Sequence, residues 1–351
     1  LNCTVKTLLR LGCVAMLCCV GGNGPASAEG TWPLRVLAWP GYADPDVVKA
    51  FEQRHQVKVE VTFVDSDEAV WDKMHADHGG QYDVVAANTV EIGRHVRAHL
   101  LRPLDLSHFP NTARQLPRFR DLAAIDGLTA SGRAYAVPFT YSSMGLIYDR
   151  TQFSTAPRSM AALWDPRYQG KVLAFNSAQH NFSLTALALG IADPFKLDAA
   201  QLHRVALQLV AIRRNILTYY NLPEEATDLF KRHQVALLFA NYGTQQLSQL
   251  RQAGADVEYV IPEEGALAWL DCWAITAGTR DVTLAEAWID YMLDPAVSSE
   301  LTRRQGLANT LNPSADASAM RRLVWLRAVE NVEQREALWM HIVSGDRPGP
   351  F

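Results

Sequence analysis

Short apolar runs of strand length alternate with helix-length amphipathic stretches, twice over, and this rhythm restricts the fold more than any other feature of the chain. Leu34–Ala38 reads as a first strand, followed by a turn over 39–42. A helix then opens at Asp44-Pro45, where proline lacks only an amide that the first turn leaves unpaired anyway. Val57–Phe63 alternates strictly and reads as a second strand; a helix over about 68–76 and a more buried third strand at Tyr82–Ala87 follow. This β-α-β-α-β order calls for a parallel sheet flanked by helices. The rhythm restarts with a strand at Lys171–Phe175, helices near 182–189 and 200–212, and a buried strand at Val235–Ala240. Segments 134–139 and 265–275 read as crossovers between two sheets, and amphipathic helices are expected over 284–293 and 323–342. No internal repeat, low-complexity tract or long linker interrupts the chain. The expected fold class is therefore α/β and two-lobed, each lobe a mainly parallel sheet flanked by helices, with a cleft between them. Residues 29–138 plus 271–313 are assigned to lobe I, and 139–270 plus 314–351 to lobe II.

The first 28 residues read differently. Lys6 and Arg10 precede an apolar run from Leu11 to Val20, and Ala26-Ser27-Ala28 follows, the pattern of a cleavable secretory signal peptide. The run is shorter than the ~20 residues a membrane span needs. A leader of this kind implies a periplasmic location. Four of the five cysteines (Cys3, Cys13, Cys18 and Cys19) lie in it, so Cys272 alone remains and an intramolecular disulfide or Cys-based metal site is excluded. Cys18 and Cys19 follow Leu17 and Cys18, a poor fit to the small residue that precedes a lipidated cysteine. The whole chain carries 33 basic and 37 acidic residues, a net charge of −4, with no clustered basic stripe. Nucleic acid and anionic membranes are thus not expected partners.

Four places put aromatic or polar side chains at strand ends, where open α/β sheets hold ligands. Trp39 and Tyr42 follow the first strand and fit either a ligand box or ordinary packing. Asn88 and Thr89 follow the third and fit either ligand contacts or helix caps. Tyr242 lies in Phe239-Ala240-Asn241-Tyr242-Gly243, after a buried strand. In the second crossover, alternation puts Trp269 and Asp271 on one face, with Leu270 and Cys272 on the other. A carboxylate inside an apolar strand is costly unless it meets a cation or several donors, and a carboxylate beside aromatic faces suits an ammonium group. His75 and His78 stand three apart on a charged helix end and read as solvated rather than metal ligands. Cys272 has no evident histidine partner and reads as an inert core thiol. No nucleophile elbow, zinc-protease, P-loop or dinucleotide motif is present, so neither an enzyme nor a cofactor is expected.

Taken together, these motifs resemble the periplasmic polyamine-binding proteins of ABC importers, the spermidine/putrescine-binding family. The resemblance runs in order through Trp39-x-x-Tyr42, Tyr82-Asp83-Val84-Val85, Tyr135-Ala136-Val137-Pro138, the run Leu163 to Lys171, Pro262-Glu263-Glu264-Gly265 and Trp269-Leu270-Asp271. It implies the periplasmic binding protein fold, closing over a small ligand without chemistry, working as a monomer and delivering to an ABC permease in the inner membrane. It implies that Trp39, Tyr42 and Trp269 are aromatic walls and that Asp271 is the carboxylate holding an amine. Departures stand beside these matches. Where the family carries two acids for a terminal ammonium, this chain has Ser177 and His180; Val90 and Ala240 replace expected aromatics, and Arg327 stands near an expected glutamine. The ligand is accordingly expected to be a polyamine, or a mono-cation or zwitterion whose acid end meets Arg327; alternatively Glu91 or Glu225 supplies the missing charge. A sensor handing its closed state to a receptor is the other expectation. Tyr219-Tyr220 resembles the tyrosine pairs of periplasmic iron carriers but is expected to precede a loop rather than follow a buried strand.

Overall fold

The computed structural model describes residues 32–313 and 320–345. The leader expected over residues 1–28, with four of the cysteines, lies outside the described residues. No helix among those described is long and apolar enough to cross a membrane.

Two sheets organise the described chain. The first contains β1 (Leu34–Ala38), β2 (Val59–Phe63) and β3 (Val84–Asn88). A small hairpin, β4 (Thr129–Ala130) with β5 (Arg133–Ala134), leads into β6 (Ala136–Met144). The second sheet is built from β7 (Leu146–Asp149), β8 (Val172–Phe175), β9 (Ile216–Tyr220), β10 (Leu237–Phe239) and β11 (Val257–Val260). β12 (Ala266–Ile275), β13 (Ala308–Asn309) and β14 (Leu323–Trp325) return to the first. Strand order is β13-β6-β12-β3-β1-β2, with β14 beside the start of β12, and β11-β7-β10-β8-β9. Pairing is parallel where β-α-β units build each sheet, β1 with β2 and β3, and β8 with β9 and β10. It is antiparallel where crossover strands enter, β12 with β3 and β6, and β7 with β10 and β11. Both sheets are thus mixed, because a strand returning from the other lobe enters from the opposite end.

The chain changes sheet twice in immediate neighbourhood. β6 gives way to β7 through Gly145, and β11 to β12 through 261–265. A Cβ at Gly145 would lie 2.5 Å from the Val260 carbonyl oxygen, so only glycine lets the two crossings run side by side. The Tyr259 hydroxyl locks them, meeting the Ser143 hydroxyl at 2.7 Å, the Ser143 carbonyl at 2.8 Å and the Gly145 amide at 2.9 Å. The lobe boundaries expected at 138/139 and 270/271 therefore fall inside β6 and β12, which run unbroken through those positions. The single helix expected over 323–342 is two elements. Leu323–Trp325 pairs with Ala266–Ala268, and after Asn331, at φ +59°, a helix spans Val332–Ser344. Tyr219 and Tyr220 end strand β9 and precede the short loop at 221–222 as expected, and Tyr220 is fully buried.

β12 is buried along its whole length and forms the spine of the first sheet. Its odd positions Trp269 and Trp273 pack in one core cluster, with Tyr42, Phe51, Phe139 and Trp288. Leu270, Cys272 and Ala274 pack in the other, against Val85, Ala87 and Tyr141. At the far end from the cleft, a buried ion pair ties β1 to the start of β3. Asp83 accepts from the Arg35 guanidinium at 2.8 and 3.0 Å and from the amides of Arg35 and Arg280, both at 2.9 Å. These donors hold its carboxyl below the ordinary range against the opposing effect of burial. Removing one partner strands a buried charge, so Asp83→Ala is expected to lose roughly 3–5 kcal/mol in urea denaturation, with Asp83→Ala/Arg35→Ala losing less than the sum of the single variants.

Candidate ligand-binding site

A cavity of ≈ 920 Å³ opens at the strand ends of both sheets. On the first-sheet side, Trp39 and Tyr42 stand on the turn after β1 and Asp271 on β12. Asp271 is 6% exposed and sits where the β12–β6 register slips by one residue, a bulge of the kind that re-aims a side chain. Tyr42 donates its hydroxyl to Asp271 Oδ2 at 2.7 Å, and its ring is fixed edge-on against Phe139 and Trp273. Burial raises the Asp271 carboxyl to about 7, although the Tyr42 hydroxyl favours the charged form. Trp269, 8% exposed, donates its indole N–H to the Asn241 carbonyl at 2.9 Å and so bridges the two lobes. The Trp39 indole N–H is enclosed and has no partner among the described residues.

Beside Asp271 lies a second carboxylate. Asp67 begins the helix Asp67–His75, which Ser66 caps, and its side chain lines the cavity. Asn88, paired in register with Asp271, donates to Asp67 Oδ1 at 2.8 Å and accepts from the amides of Val90 and Glu91. Asn88 is thus a helix cap and a cavity wall at once. Burial, then the charges of Glu91, Asp271 and Glu68, push the Asp67 carboxyl well above its ordinary value. Glu91 is raised by burial, opposed by Arg94 at 3.5 Å, whose guanidinium lies 3.5 Å over the Trp71 ring. Among the described residues no cation pairs with Asp67 or Asp271.

The second-sheet wall is neutral around Ser177 and His180, while Arg327, Glu333 and Glu336 also line the cavity on this side. Ser177 caps the helix Ala178–Ala188 by accepting from the His180 amide. His180 Nδ1 lies 2.9 Å from Asn241 Oδ1 and its ring stacks on Phe175, while burial lowers its pKa to about 4, leaving an uncharged imidazole at neutral pH. Tyr242 meets Phe175 edge-on and donates to the Asn221 carbonyl at 2.8 Å.

The cavity brings together Trp39, Tyr42, Asn88, Ser177, His180, Tyr242, Trp269, Asp271 and Arg327. Thr89 is not part of it; it is buried as the first residue of its helix, beneath the wall. Arg327 lines the cavity, but its guanidinium is bound to Asp193 at 2.9 Å and lies over Phe195, so it is already paired. Glu91 lines the cavity, whereas Glu225 does not and instead accepts from the Asn221 amide. Asp67, Trp71, Arg94 and Asn241 also line it without being singled out from sequence. The available signal was position, since Asp67 follows the end of β2 as Trp39 follows β1. His75 stacks on Trp71, and no group of three His, Cys, Asp or Glu side chains among the described residues could hold a metal. Cys272 is buried, with its thiol pushed up by burial and by Asp271.

A family described as "Bacterial extracellular solute-binding protein" matches residues 46–323. The chain is 24% identical over 279 residues to spermidine/putrescine-binding periplasmic protein 1 of Haemophilus influenzae, covering 79% of this chain and 75% of that one. It is 25% identical over 289 residues to a putrescine-binding periplasmic protein of Escherichia coli, covering 79% and 77%. Among solved structures, a putative spermidine/putrescine ABC transporter from Listeria monocytogenes superposes with a TM-score of 0.76 at 24% identity, over 88% of this chain and 98% of that one. The PBP AgtB of A. tumefaciens R10, in complex with agropinic acid, gives 0.67 at 18% identity, over 89% and 99%. These structural likenesses show the two-lobed fold.

The elevated carboxyl of Asp271 has a definite sign. Folded protein retains a proton that the unfolded chain releases above about pH 4, so this group's contribution to stability falls as pH rises toward 7. The carbon resonance of this carboxyl is expected to titrate near pH 7. The stability difference between wild type and Asp271→Asn should change by at most about 1.4 kcal/mol per pH unit within that window, and a flat difference between pH 4 and 7 would contradict it.

Proposed function

Because this chain belongs to the bacterial extracellular solute-binding protein family, we propose that it captures a small amine-bearing ligand of polyamine type in the periplasm and delivers it to the permease of an ABC importer. The family binds solutes and is not an enzyme family. One observation carries the ligand class: a buried carboxylate, Asp271, without a cation, held by Tyr42 and sharing the cavity with the rings of Trp39 and Trp269. Removing a carboxylate from water is favourable only when a cation or several donors replace the water. Aromatic faces attract the same cation, by about 2 kcal/mol where it is desolvated. An alkylammonium meets both requirements, and its methylenes suit the indole walls. The named ligands of the spermidine/putrescine-binding relatives agree with this class.

Lobe closure supplies the mechanism. Ligand seated on the first-sheet wall gains contacts from the Ser177–His180 wall only when the lobes approach, and it favours the closed state by its differential affinity for it. A permease then reads the closed form. The leader-like residues 1–28 supply the route to the periplasm, and the chain acts as a monomer.

A second reading has its own support. The Ser177–His180 wall is a neutral helix N-terminus without a carboxylate of its own, so a zwitterion could direct its ammonium to Asp271 and its acid group there. Calorimetry with putrescine, spermidine and 4-aminobutyrate separates the two. Putrescine or spermidine is expected to bind, with affinity lowered at least tenfold in Asp271→Asn and lowered as pH falls from 8 to 6, since protonating Asp271 removes the partner charge. Binding of 4-aminobutyrate alone would replace the polyamine reading with the zwitterionic one.

A further inference from the structure

We propose that Asp67 is a ligand-binding carboxylate and that it holds one ammonium of the ligand jointly with Asp271, the two acids flanking the side chain of Asn88. This rests on the amine-binding reading above and adds to it the group that replaces the acids absent from the Ser177 and His180 positions.

The argument is one of position and unpaired charge. β3 and β12 are antiparallel neighbours with Asn88 opposite Asp271, so these side chains share a face of the sheet. Asn88 is committed by its other contacts. Its oxygen accepts from two helix amides and one N–H of its nitrogen is donated to Asp67 Oδ1 at 2.8 Å, and among the described residues it makes no bond to Asp271. Asp271 is nine-tenths buried and has Tyr42 as donor to Oδ2, while Oδ1 has no donor among the described residues. Asp67 likewise receives a single neutral hydrogen bond. Two carboxylates one amide side chain apart in one cavity, neither paired with a cation among the described residues, repel each other until a cation enters. Three ammonium hydrogens can serve both acids, and the rings of Trp39 and Trp269 supply apolar walls in the same cavity. Glu91 contributes less, because Arg94 already offsets it. The consequence is an inverted polarity: both anchoring charges lie on the first-sheet lobe, and the Ser177–His180 wall that faces them is neutral.

Asp67→Asn is a clean probe, since the amide oxygen still accepts from Asn88 and only the charge is lost. Titration calorimetry with putrescine, butylamine and 4-aminobutyrate is the test, on wild type, Asp67→Asn, Asp271→Asn, the double variant and the control Glu60→Gln, an exposed acid of β2 that does not line the cavity. Asp67→Asn is expected to weaken every probe that wild type binds by about 10- to 100-fold, the value of one charge-assisted hydrogen bond. The double variant should lose less than the product of the single losses, because one ammonium is shared, and Glu60→Gln should stay within twofold. The ligand-free melting temperature of Asp67→Asn should equal or exceed wild type, since a repulsion has been removed; a residue of purely structural value would lower it. In wild type, putrescine should shift the carboxyl resonance of Asp271 to its ionised position at pH 6 and perturb that of Asp67, a readout independent of any variant. Putrescine affinity within twofold of wild type in Asp67→Asn overturns the shared clamp and leaves the polyamine reading standing. Binding of 4-aminobutyrate but not putrescine, still lost in Asp67→Asn, overturns the polyamine reading and keeps the clamp. Binding of none of the three overturns both.

Discussion

The hydrogen bond from Tyr42 to Asp271 is the contact on which the site depends. It places a carboxylate in the middle of a wholly buried strand, where an apolar residue would pack without cost. Every neighbour then follows from accommodating that charge. Tyr42 is wedged edge-on against Phe139 and Trp273, and Phe139 is the residue left over on β6 where its register with β12 slips beside Asp271. One donor is too few to satisfy a buried carboxylate, and burial accordingly raises its proton affinity to the neutral range. The ligand-free site is left with an acid that only a proton or a cation can settle.

Much of the fold was legible because its signals are local. The alternation of Val57–Phe63, the continuous apolar runs of β3 and β10 and the Pro45 helix start each follow from period or backbone chemistry within a few residues. The walls Trp39, Tyr42, Trp269 and Asp271 were legible because they sit at strand ends or alternate within a strand. What was not legible depends on pairing across long separations. Leu323–Trp325 looks helical in its own neighbourhood and is a strand only because β12 offers an open edge at Ala266–Ala268. The lobe crossing at Gly145 depends on Val260 and Tyr259 lying against it, more than a hundred residues away.

Asp67 and Arg327 show the same limit at the site, in opposite directions. Asp67 reads as an ordinary acidic residue of a helix first turn, the commonest place for one, and its surroundings emerge only when Asn88 is brought over from β3. Arg327 reads as a free cation near the cleft, and its engagement by Asp193 and Phe195 depends on how the chain re-enters the second lobe before the helix Val332–Ser344. A charge in sequence is therefore a poor guide to the charge a ligand meets. The field in this cleft comes from two acids whose described partners are neutral, while Arg327 and Arg94 are already paired with carboxylates.

The double crossing pinned by Tyr259 also has a kinematic meaning. Gly145 and the segment 261–265 lie together, so in the lobe closure proposed above they would serve as the pivot, and displacement would grow with distance from it. Trp269 lies within a few residues of this pivot, at the end of a short lever arm, and its bond to the Asn241 carbonyl spans the lobes where they move least. Glu333 and Met340 line the cavity from the Val332–Ser344 helix, which packs on the second-lobe helices and would travel with them. Geometry of this kind separates seating from enclosure in time: the anchor near the axis is in place throughout the swing, and the outer walls arrive last.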